Sequence, residues 1–184
     1  TVAVMGLGKS GLAASRALAA GGATVWAWDD DPDCRAAAAD QLLLTDLDRC
    51  DWGNANALVL SPGIPHTHPS PHPVAAAAAA AGCEIICDVE LLFRSLEDAM
   101  TIGVTGTNGK STTSALIGHI LQGAGRPYQL GANFGLPVME MEPLDGDGTY
   151  ILELSSYQLE RMPSIGLNIA VFLNVSADHL DRHG

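Results

Sequence analysis

The chain twice places a glycine-rich loop between a short apolar strand and a helix with apolar spacing. The first loop reads GLGKSG at 6–11 and follows the apolar run 1–5, and the second reads GVTGTNGKS at 103–111. Such loops let backbone N–H groups and the positive end of a helix approach a phosphate group closely. The recurrence predicts an α/β fold with an N-terminal Rossmann-like parallel-sheet domain over 1–97, followed by the start of a P-loop ATPase-type α/β central domain over 98–184.

The second loop departs from the general phosphate-loop pattern GxxxxGK[ST]. That pattern requires glycine at the position of Val104, and the chain has Gly103 and Gly106 on either side of it. An accident of composition is one explanation in a chain with 20 glycines. The strand before the loop and the helix after it favour a variant that binds ATP, with Lys110 at the β- and γ-phosphates and Ser111 on Mg²⁺. The predicted ATP-binding residues are Thr107, Asn108, Gly109, Lys110, Ser111, Thr112 and Thr113.

A carboxylate ends the apolar strand predicted at 150–152. Glu153 follows this strand directly, as expected for the second protein ligand of Mg²⁺ beside a phosphate loop. The alternative is an ordinary exposed glutamate. We interpret the stretch 130–137 as a loop, and we note that polar residues crowd the end of the strand 169–173, where open α/β sheets bind ligands.

The first loop satisfies the dinucleotide fingerprint GxGxxG and is followed, about twenty residues on, by an acid. Asp29 ends the second predicted strand, and Ser-Pro-Gly at 61–63 follows the third. An acid at this distance suits a ribose hydroxyl, so that NAD, FAD or a nucleotide-sugar diphosphate would each fit. A tight turn without a ligand is the remaining interpretation.

Charge and composition exclude several classes of partner. Nine basic and 21 acidic side chains leave a net charge of -12, which repels nucleic acid and anionic membranes. The sequence contains no run of about 18 apolar residues, so it predicts no membrane span. The first residues resemble a core strand rather than a signal peptide, so we expect a cytoplasmic protein. The four scattered cysteines are interpreted as reduced structural thiols, and His66, His68 and His72 as a solvated loop in preference to a metal site.

Three phrases of the sequence together resemble the Mur ligases of bacterial cell-wall synthesis. They are TGTNGKST at 105–112, ELSSYQLE at 153–160 and DHLDR at 178–182, supported by GANFG at 131–135. Within the family the resemblance is to the ligases that add D-glutamate, because the alanine-adding ligases carry histidine where Asn108 stands. It covers the whole chain but less than half of the family's three domains. It therefore implies that the D-glutamate-binding domain and a carbamylated lysine lie beyond Gly184.

The resemblance implies a reaction driven by ATP. The alanyl carboxylate of UDP-N-acetylmuramoyl-L-alanine attacks the γ-phosphate, and the amine of D-glutamate then displaces phosphate to form an amide. Lys110, Asn133 and His179 are the implied catalytic residues, and Ser111, Glu153 and His179 are the implied Mg²⁺ ligands. The implied residues that bind the UDP-sugar are Gly8, Lys9, Ser10, Asp29, Ser61, Pro62, Gly63, Asn133 and Ser155. The acidic Asp30 and Asp31 depart from the pattern on the uridine side. The family is usually monomeric, and this chain alone is expected to bind ligands without turnover.

The sequence alone leaves three other functions open. An NAD-dependent oxidoreductase or NAD-sensing module would use the first loop and Asp29, but it would leave Lys110 and Glu153 without a purpose. A P-loop ATPase switch would use the second loop without ligase chemistry. A related Mur ligase would add a different amino acid.

Overall fold

A computed structural model describes residues 1–183, which form two compact α/β units. The first unit contains residues 1–88 and 179–183, and the second contains 89–178. The division lies ahead of the sequence-predicted boundary at residue 97, because the helix Asp88–Ser95 is tied to the second unit. Its buried Glu90 accepts a hydrogen bond from the Ser164 amide at 3.1 Å. The assignment of separate functions to the two domains stays a prediction.

The first unit is built on a sheet of four parallel strands in the order β2-β1-β3-β4. The strands are β1 (Val2–Met5), β2 (Val25–Trp28), β3 (Ala57–Leu60) and β4 (Glu84–Ile86). The central β3 is buried along its whole length, as expected of a parallel strand covered on both faces. The chain moves to opposite sides of β1 to form β2 and β3. The carboxyl ends of β1 and β3 therefore flank the switch point where open α/β sheets bind ligands.

The helices of the first unit begin where the sequence supplies a cap. They are α1 (Lys9–Ala20), α2 (Pro32–Ala38), α3 (Pro73–Ala80) and the short α7 (Leu180–His183). Asp31 accepts the Asp33 amide at the start of α2, and the His72 ring accepts the Val74 amide at the start of α3. The α3 residues pack into a core with both central strands. This core consists of Ala3, Met5, Leu47, Trp52, Leu58, Leu60, Val74, Ala75, Ala78 and Cys83.

The second unit has its own sheet of four parallel strands, in the order β6-β7-β5-β8. They are β5 (Met100–Thr105), β6 (Tyr128–Ala132), β7 (Thr149–Glu153) and β8 (Ile169–Phe172). The helices are α4 (Asp88–Ser95), α5 (Lys110–Gly123) and α6 (Ser156–Leu159). In the described part of the chain, no helix is long and apolar enough to cross a membrane. Val104 of β5 lies opposite Glu153 of β7, so the two strands end side by side.

Strand β6 corrects the loop predicted at 130–137. The residues up to Ala132 pair with β7, with Gly131 opposite Leu152, and only the later part is a turn. The sequence signal was misleading because glycine is typical of loops, whereas here Gly131 allows a close backbone approach. A Cβ atom at this position would lie 2.1 Å from the Leu136 carbonyl oxygen. Pairing with the buried β7 thus outweighs the local propensity.

Strand β8 lies at the opposite edge of the second sheet and is largely solvent-exposed. Its Ile169 is 46% exposed and its Phe172 is 67% exposed. In the described residues, β5 is the strand with which it pairs. In the part of the chain that the structure describes, this edge therefore presents apolar side chains on a strand that is paired on one side only.

All four cysteines are free thiols, which confirms the prediction of reduced residues. Burial raises the pKa of Cys83, and the neighbouring Glu84 carboxylate raises it further. Burial and then Asp46 raise the pKa of Cys50, and burial followed by Asp29 raises that of Cys34. Cys34, Cys50 and Cys83 therefore stay protonated at neutral pH, as expected of structural cysteines.

Candidate functional site

The start of helix α5 provides the amide groups that a phosphate site needs. Gly109 directly precedes the helix, and the first intrahelical bond runs from the Thr113 amide to the Gly109 carbonyl at 3.0 Å. The amides of the three residues at 110–112 precede that bond and have no acceptor within the helix. They stand at the positive end of the helix dipole, where a phosphate oxygen is stabilised.

Lys110 folds back over the phosphate loop. Its Nζ donates to the Gly106 carbonyl at 2.6 Å and to the Thr107 carbonyl at 3.1 Å. The loop carbonyls thus hold the ammonium group beside the loop. The predicted contact of Lys110 with phosphate stays a prediction.

Glu153 joins two other sequence-predicted residues beside this loop. Its Oε2 accepts a hydrogen bond from the Ser111 hydroxyl at 2.7 Å, and its Oε1 accepts one from Asn133 Nδ2 at 3.1 Å. The backbone N–H of Asn133 also donates to the backbone carbonyl of Glu153 at 3.0 Å. Glu153 is only 3% exposed, so the alternative of an ordinary exposed glutamate is wrong.

The donor set around Glu153 suits Mg²⁺. A hydroxyl and a carboxylate are the hard oxygen ligands that this cation prefers. Among the described residues both hydrogen-bond partners of Glu153 are neutral, and a buried carboxylate without a cation is costly. No cluster of three or more His, Cys, Asp or Glu side chains suited to a metal occurs in residues 1–183. The Mg²⁺ assignment stays a prediction that the chemistry of Ser111 and Glu153 supports.

Ser155 has a structural role in addition to its predicted contact with substrate. It caps α6 in a reciprocal capping box: its Oγ accepts the Gln158 amide at 3.3 Å, and Gln158 Oε1 accepts the Ser155 amide at 3.0 Å. Gln158 is 1% exposed. Part of the phrase ELSSYQLE therefore encodes a helix start, and the substrate role of Ser155 stays a prediction.

In the first unit, the glycines of the GLGKSG loop divide into two kinds. A Cβ atom at Gly11 would lie 1.8 Å from the Gly6 carbonyl oxygen, so the loop closes on itself there. At Gly8 a Cβ atom would have no neighbour within 4 Å. Internal packing therefore explains Gly11 but not Gly8, which is the position where a backbone approaches a diphosphate in Rossmann folds.

The three consecutive aspartates after β2 each have a partner within the first unit. Asp29 accepts the Leu7 amide at 2.6 Å and the Asp31 amide at 2.9 Å. Asp30 pairs with His72 Nε2 at 2.8 Å, and Asp31 caps α2. Asp29 thereby connects the end of β2 to the glycine loop after β1, and its role in binding ribose stays a prediction.

The Ser-Pro-Gly segment 61–63 lies at the switch point with the glycine loop. Ser61 Oγ donates to the Gly6 carbonyl at 3.2 Å, and Ser61 and Pro62 line a narrow pocket together with Ser10. The buried Asp88 lines this pocket too. The structure thus brings three of the residues predicted to bind the UDP-sugar, Ser10, Ser61 and Pro62, to one pocket. Two others, Asn133 and Ser155, belong to the second unit.

Arg182 is a residue of this site that sequence reasoning missed. Its guanidinium donates to the Gly63 carbonyl at 2.9 Å and to the Pro62 carbonyl at 3.4 Å. His179, three residues before it, also belongs to the first unit and has a left-handed φ of 52°. Ser111 and Glu153 belong to the second unit, and the metal role of His179 stays a prediction. The DHLDR motif alone gave no signal that its arginine contacts residues 62 and 63.

Comparison with known proteins agrees with the two sheets and the phosphate loop. The family described as "Mur ligase middle domain" matches residues 104–184. A UDP-N-acetylmuramoylalanine–D-glutamate ligase of Rhodospirillum rubrum is 53% identical over 98% of this chain and 39% of its own length. Ligases of the same name from Phenylobacterium zucineum and Brucella abortus are 51% and 49% identical over 100% of this chain, which covers 41% and 40% of their lengths.

Two solved structures have the same fold. One is a UDP-N-acetylmuramate:L-alanyl-gamma-D-glutamyl-meso-diaminopimelate ligase from Neisseria meningitides, with a TM-score of 0.59, 19% identity, and coverage of 100% of this chain and 63% of that one. The other is a murein peptide ligase from Psychrobacter arcticus, with a TM-score of 0.55, 16% identity, and coverage of 98% and 44%. At these identities the likeness concerns the fold alone.

Fold, phosphate loop and sequence similarity together define the class: the chain belongs to the Mur ligase family. Within that family it is similar along its whole length to the D-glutamate ligases named above. The chain spans about two fifths of the length of these curated relatives, between 39% and 41%.

Proposed function

We propose that this chain forms the UDP-sugar-binding and ATP-binding parts of a ligase that joins D-glutamate to UDP-N-acetylmuramoyl-L-alanine in peptidoglycan synthesis. The observation that carries the proposal is the cluster of Ser111, Asn133 and Glu153 beside the Lys110 loop. Similarity to the three D-glutamate ligases selects the amino acid that is added.

The second unit supports transfer of a phosphoryl group from ATP. The three amides at the start of α5 would bind phosphate oxygens, and Lys110 would exchange its two loop carbonyls for the triphosphate. Ser111 and Glu153 would hold Mg²⁺, which when bound offsets the charge that accumulates on the phosphate oxygens. The other predicted ATP-binding residues are Thr107 and Asn108 in the loop, Gly109 directly before the helix, and Thr113 in its first turn.

The first unit supports binding of the UDP-sugar. Gly8, Lys9 and Ser10 would present backbone groups to the diphosphate at the start of α1, a helix without a side-chain cap. Asp29 and the segment 61–63 line the same end of the sheet. With a net charge of -12, the protein must bind these anions through local dipoles rather than through its overall field.

The proposed reaction requires two anions to meet, since a carboxylate attacks a phosphate group. Its main demand on the protein is therefore positioning and charge neutralisation. Lys110 would supply the positive charge, and Asn133, bonded to Glu153, would orient the alanyl carboxylate. Attack on the γ-phosphate breaks its bond to the β-phosphate, which releases ADP and gives an acyl phosphate. The amine of D-glutamate then attacks the acyl carbon, which forms the amide and releases phosphate.

The decisive assay measures phosphate release by the full-length protein while its substrates are omitted one at a time. We expect release that requires ATP, UDP-N-acetylmuramoyl-L-alanine and D-glutamate together, with one amide formed per phosphate. Release with ATP alone would indicate an ATPase switch, and dependence on another amino acid would indicate a different Mur ligase. Binding of NADH without binding of UDP would overturn the assignment of the first unit.

The remaining expectations concern the setting of the enzyme. We propose a cytoplasmic monomer that acts on small molecules and binds neither nucleic acid nor membranes. Gel filtration of the full-length protein tests the oligomeric state.

A further inference from the structure

We propose that Asn174 is the residue that positions the phosphate loop for ATP, an inference that rests on the proposed ATP-binding function. Asn174 follows β8 and lies outside the predicted binding motifs. Its side-chain amide forms two hydrogen bonds with the backbone of one loop residue, Asn108. Oδ1 accepts from the Asn108 N–H at 3.0 Å, and Nδ2 donates to the Asn108 carbonyl at 2.9 Å.

The backbone beside Asn174 also holds the loop. The Thr107 amide donates to the Asn174 carbonyl at 3.1 Å, and the Ser176 amide donates to the Thr107 hydroxyl at 3.0 Å. A Cβ atom at Gly106 would lie 3.1 Å from both the nitrogen and the oxygen of Asn174. The segment 174–176 therefore runs alongside the loop at backbone contact distance.

These bonds decide which amides are available for phosphate. The amides of Thr107 and Asn108 both donate to Asn174, so they brace the loop. The amides of residues 110–112 at the start of α5 have no acceptor within the helix and remain the ones suited to phosphate. The first half of the loop, residues 107 and 108, thus braces its shape, and the second half, residues 110–112, is left to bind phosphate.

Asn174 continues to cover a loop carbonyl when Lys110 binds a triphosphate. Lys110 covers the carbonyls of Gly106 and Thr107, and Asn174 covers the carbonyl of Asn108. When Lys110 turns to phosphate, its two carbonyls lose their donor, whereas the bonds of Asn174 do not depend on it. A carbonyl oxygen released beside the triphosphate would repel it, and the Asn174 amide prevents this at Asn108.

The test compares AMPPNP binding with UDP binding by calorimetry, in Mg²⁺ and in the full-length protein. Loss of two backbone hydrogen bonds should weaken AMPPNP binding by Asn174→Ala roughly tenfold or more, with UDP binding unchanged. Asn168→Ala is the matched control. Asn168 lies at the opposite end of β8, where its Oδ1 accepts from the Thr101 amide at 2.8 Å and from the Thr101 hydroxyl at 2.9 Å. This variant should bind AMPPNP as the wild type does.

Asn174→Asp tests the same contact with a side chain of nearly the same shape. Its carboxylate is ionised at neutral pH, because the ordinary pKa of aspartic acid is about 3.9. It can accept from the Asn108 N–H but repels both the Asn108 carbonyl and the triphosphate. We therefore expect AMPPNP binding by Asn174→Asp to be weaker than that by Asn174→Ala, with UDP binding unchanged.

The outcomes separate this inference from the function on which it rests. If the wild type binds UDP but not AMPPNP, the proposed ATP site fails and the inference fails with it. If the wild type binds AMPPNP and both Asn174 variants bind it as tightly as the wild type does, the inference alone is wrong. It is equally wrong if Asn168→Ala weakens AMPPNP binding as much as Asn174→Ala does.

Discussion

Replacement of Glu153 by glutamine should separate the effect of the buried charge on stability from its effect on Mg²⁺ binding. The carboxylate is 3% exposed and accepts hydrogen bonds from Ser111 and Asn133 at 2.7 and 3.1 Å. Each bond to a charged group contributes about 1.5–3 kcal/mol, but burial of the charge costs several kcal/mol. Because these terms nearly cancel, Glu153→Gln should change the free energy of unfolding by less than about 1 kcal/mol in metal-free buffer.

Addition of Mg²⁺ should then reveal the difference between the two proteins. With AMPPNP present and Mg²⁺ at about 100 times its dissociation constant, the wild type should gain about 2.7 kcal/mol, and Glu153→Gln should gain little. Urea unfolding of the full-length protein, followed by circular dichroism, measures both quantities. The ligase rate of the variant should fall at least a hundredfold.

Glu90 is the matched control for this experiment. It is also a fully buried glutamate of the second unit, but it pairs with Arg94 at 2.8 Å. Glu90→Gln should destabilise the protein by about 1–3 kcal/mol and leave the Mg²⁺ response intact. If instead Glu153→Gln is the destabilised variant and responds to Mg²⁺ as the wild type does, Glu153 is a structural acceptor and the metal assignment is refuted.

Four further substitutions test the remaining contacts. Ser155→Ala should lower the free energy of unfolding by about 1 kcal/mol through loss of the cap, and an altered KM for the UDP-sugar at unchanged stability would contradict this role. Arg182→Ala should weaken UDP binding several-fold in calorimetry by releasing segment 61–63, with AMPPNP binding unaffected. Gly11→Ala should cost about 3 kcal/mol or more in urea unfolding because its Cβ would overlap the Gly6 carbonyl. Gly8→Ala should leave stability unchanged and weaken UDP binding, and equal stability losses in the two glycine variants would refute the division between them.

The phosphate-loop site of the second unit could be predicted from the sequence because its signals are local. The loop, the strand before it and the helix after it occupy one continuous segment. Glu153 could be placed beside it because parallel strands end at the same edge of a sheet. Both α/β units could be predicted for the same reason, since each apolar run is bounded by glycine, proline or a polar cap.

Contacts between distant segments could not be predicted in this way. Asn174 ends an apolar strand like many polar residues, and nothing in the sequence indicates that its amide pairs with Asn108. Arg182 contacts backbone carbonyl groups. Because every residue has such a group, the residue types at 62 and 63 do not indicate the contact. Strand β6 was missed because its pairing with β7 outweighs the turn propensity of its glycine.

The exposed edge strand β8 has a practical consequence for work with the 184-residue chain. Exposed Ile169 and Phe172 lie on a strand that, within residues 1–183, is paired on one side only. This combination favours pairing with the same strand of another molecule. A preparation of this chain alone is therefore expected to self-associate as its concentration rises. A lysine in place of Phe172 would disfavour that pairing, so it is the first change to make before crystallisation or NMR of the isolated chain.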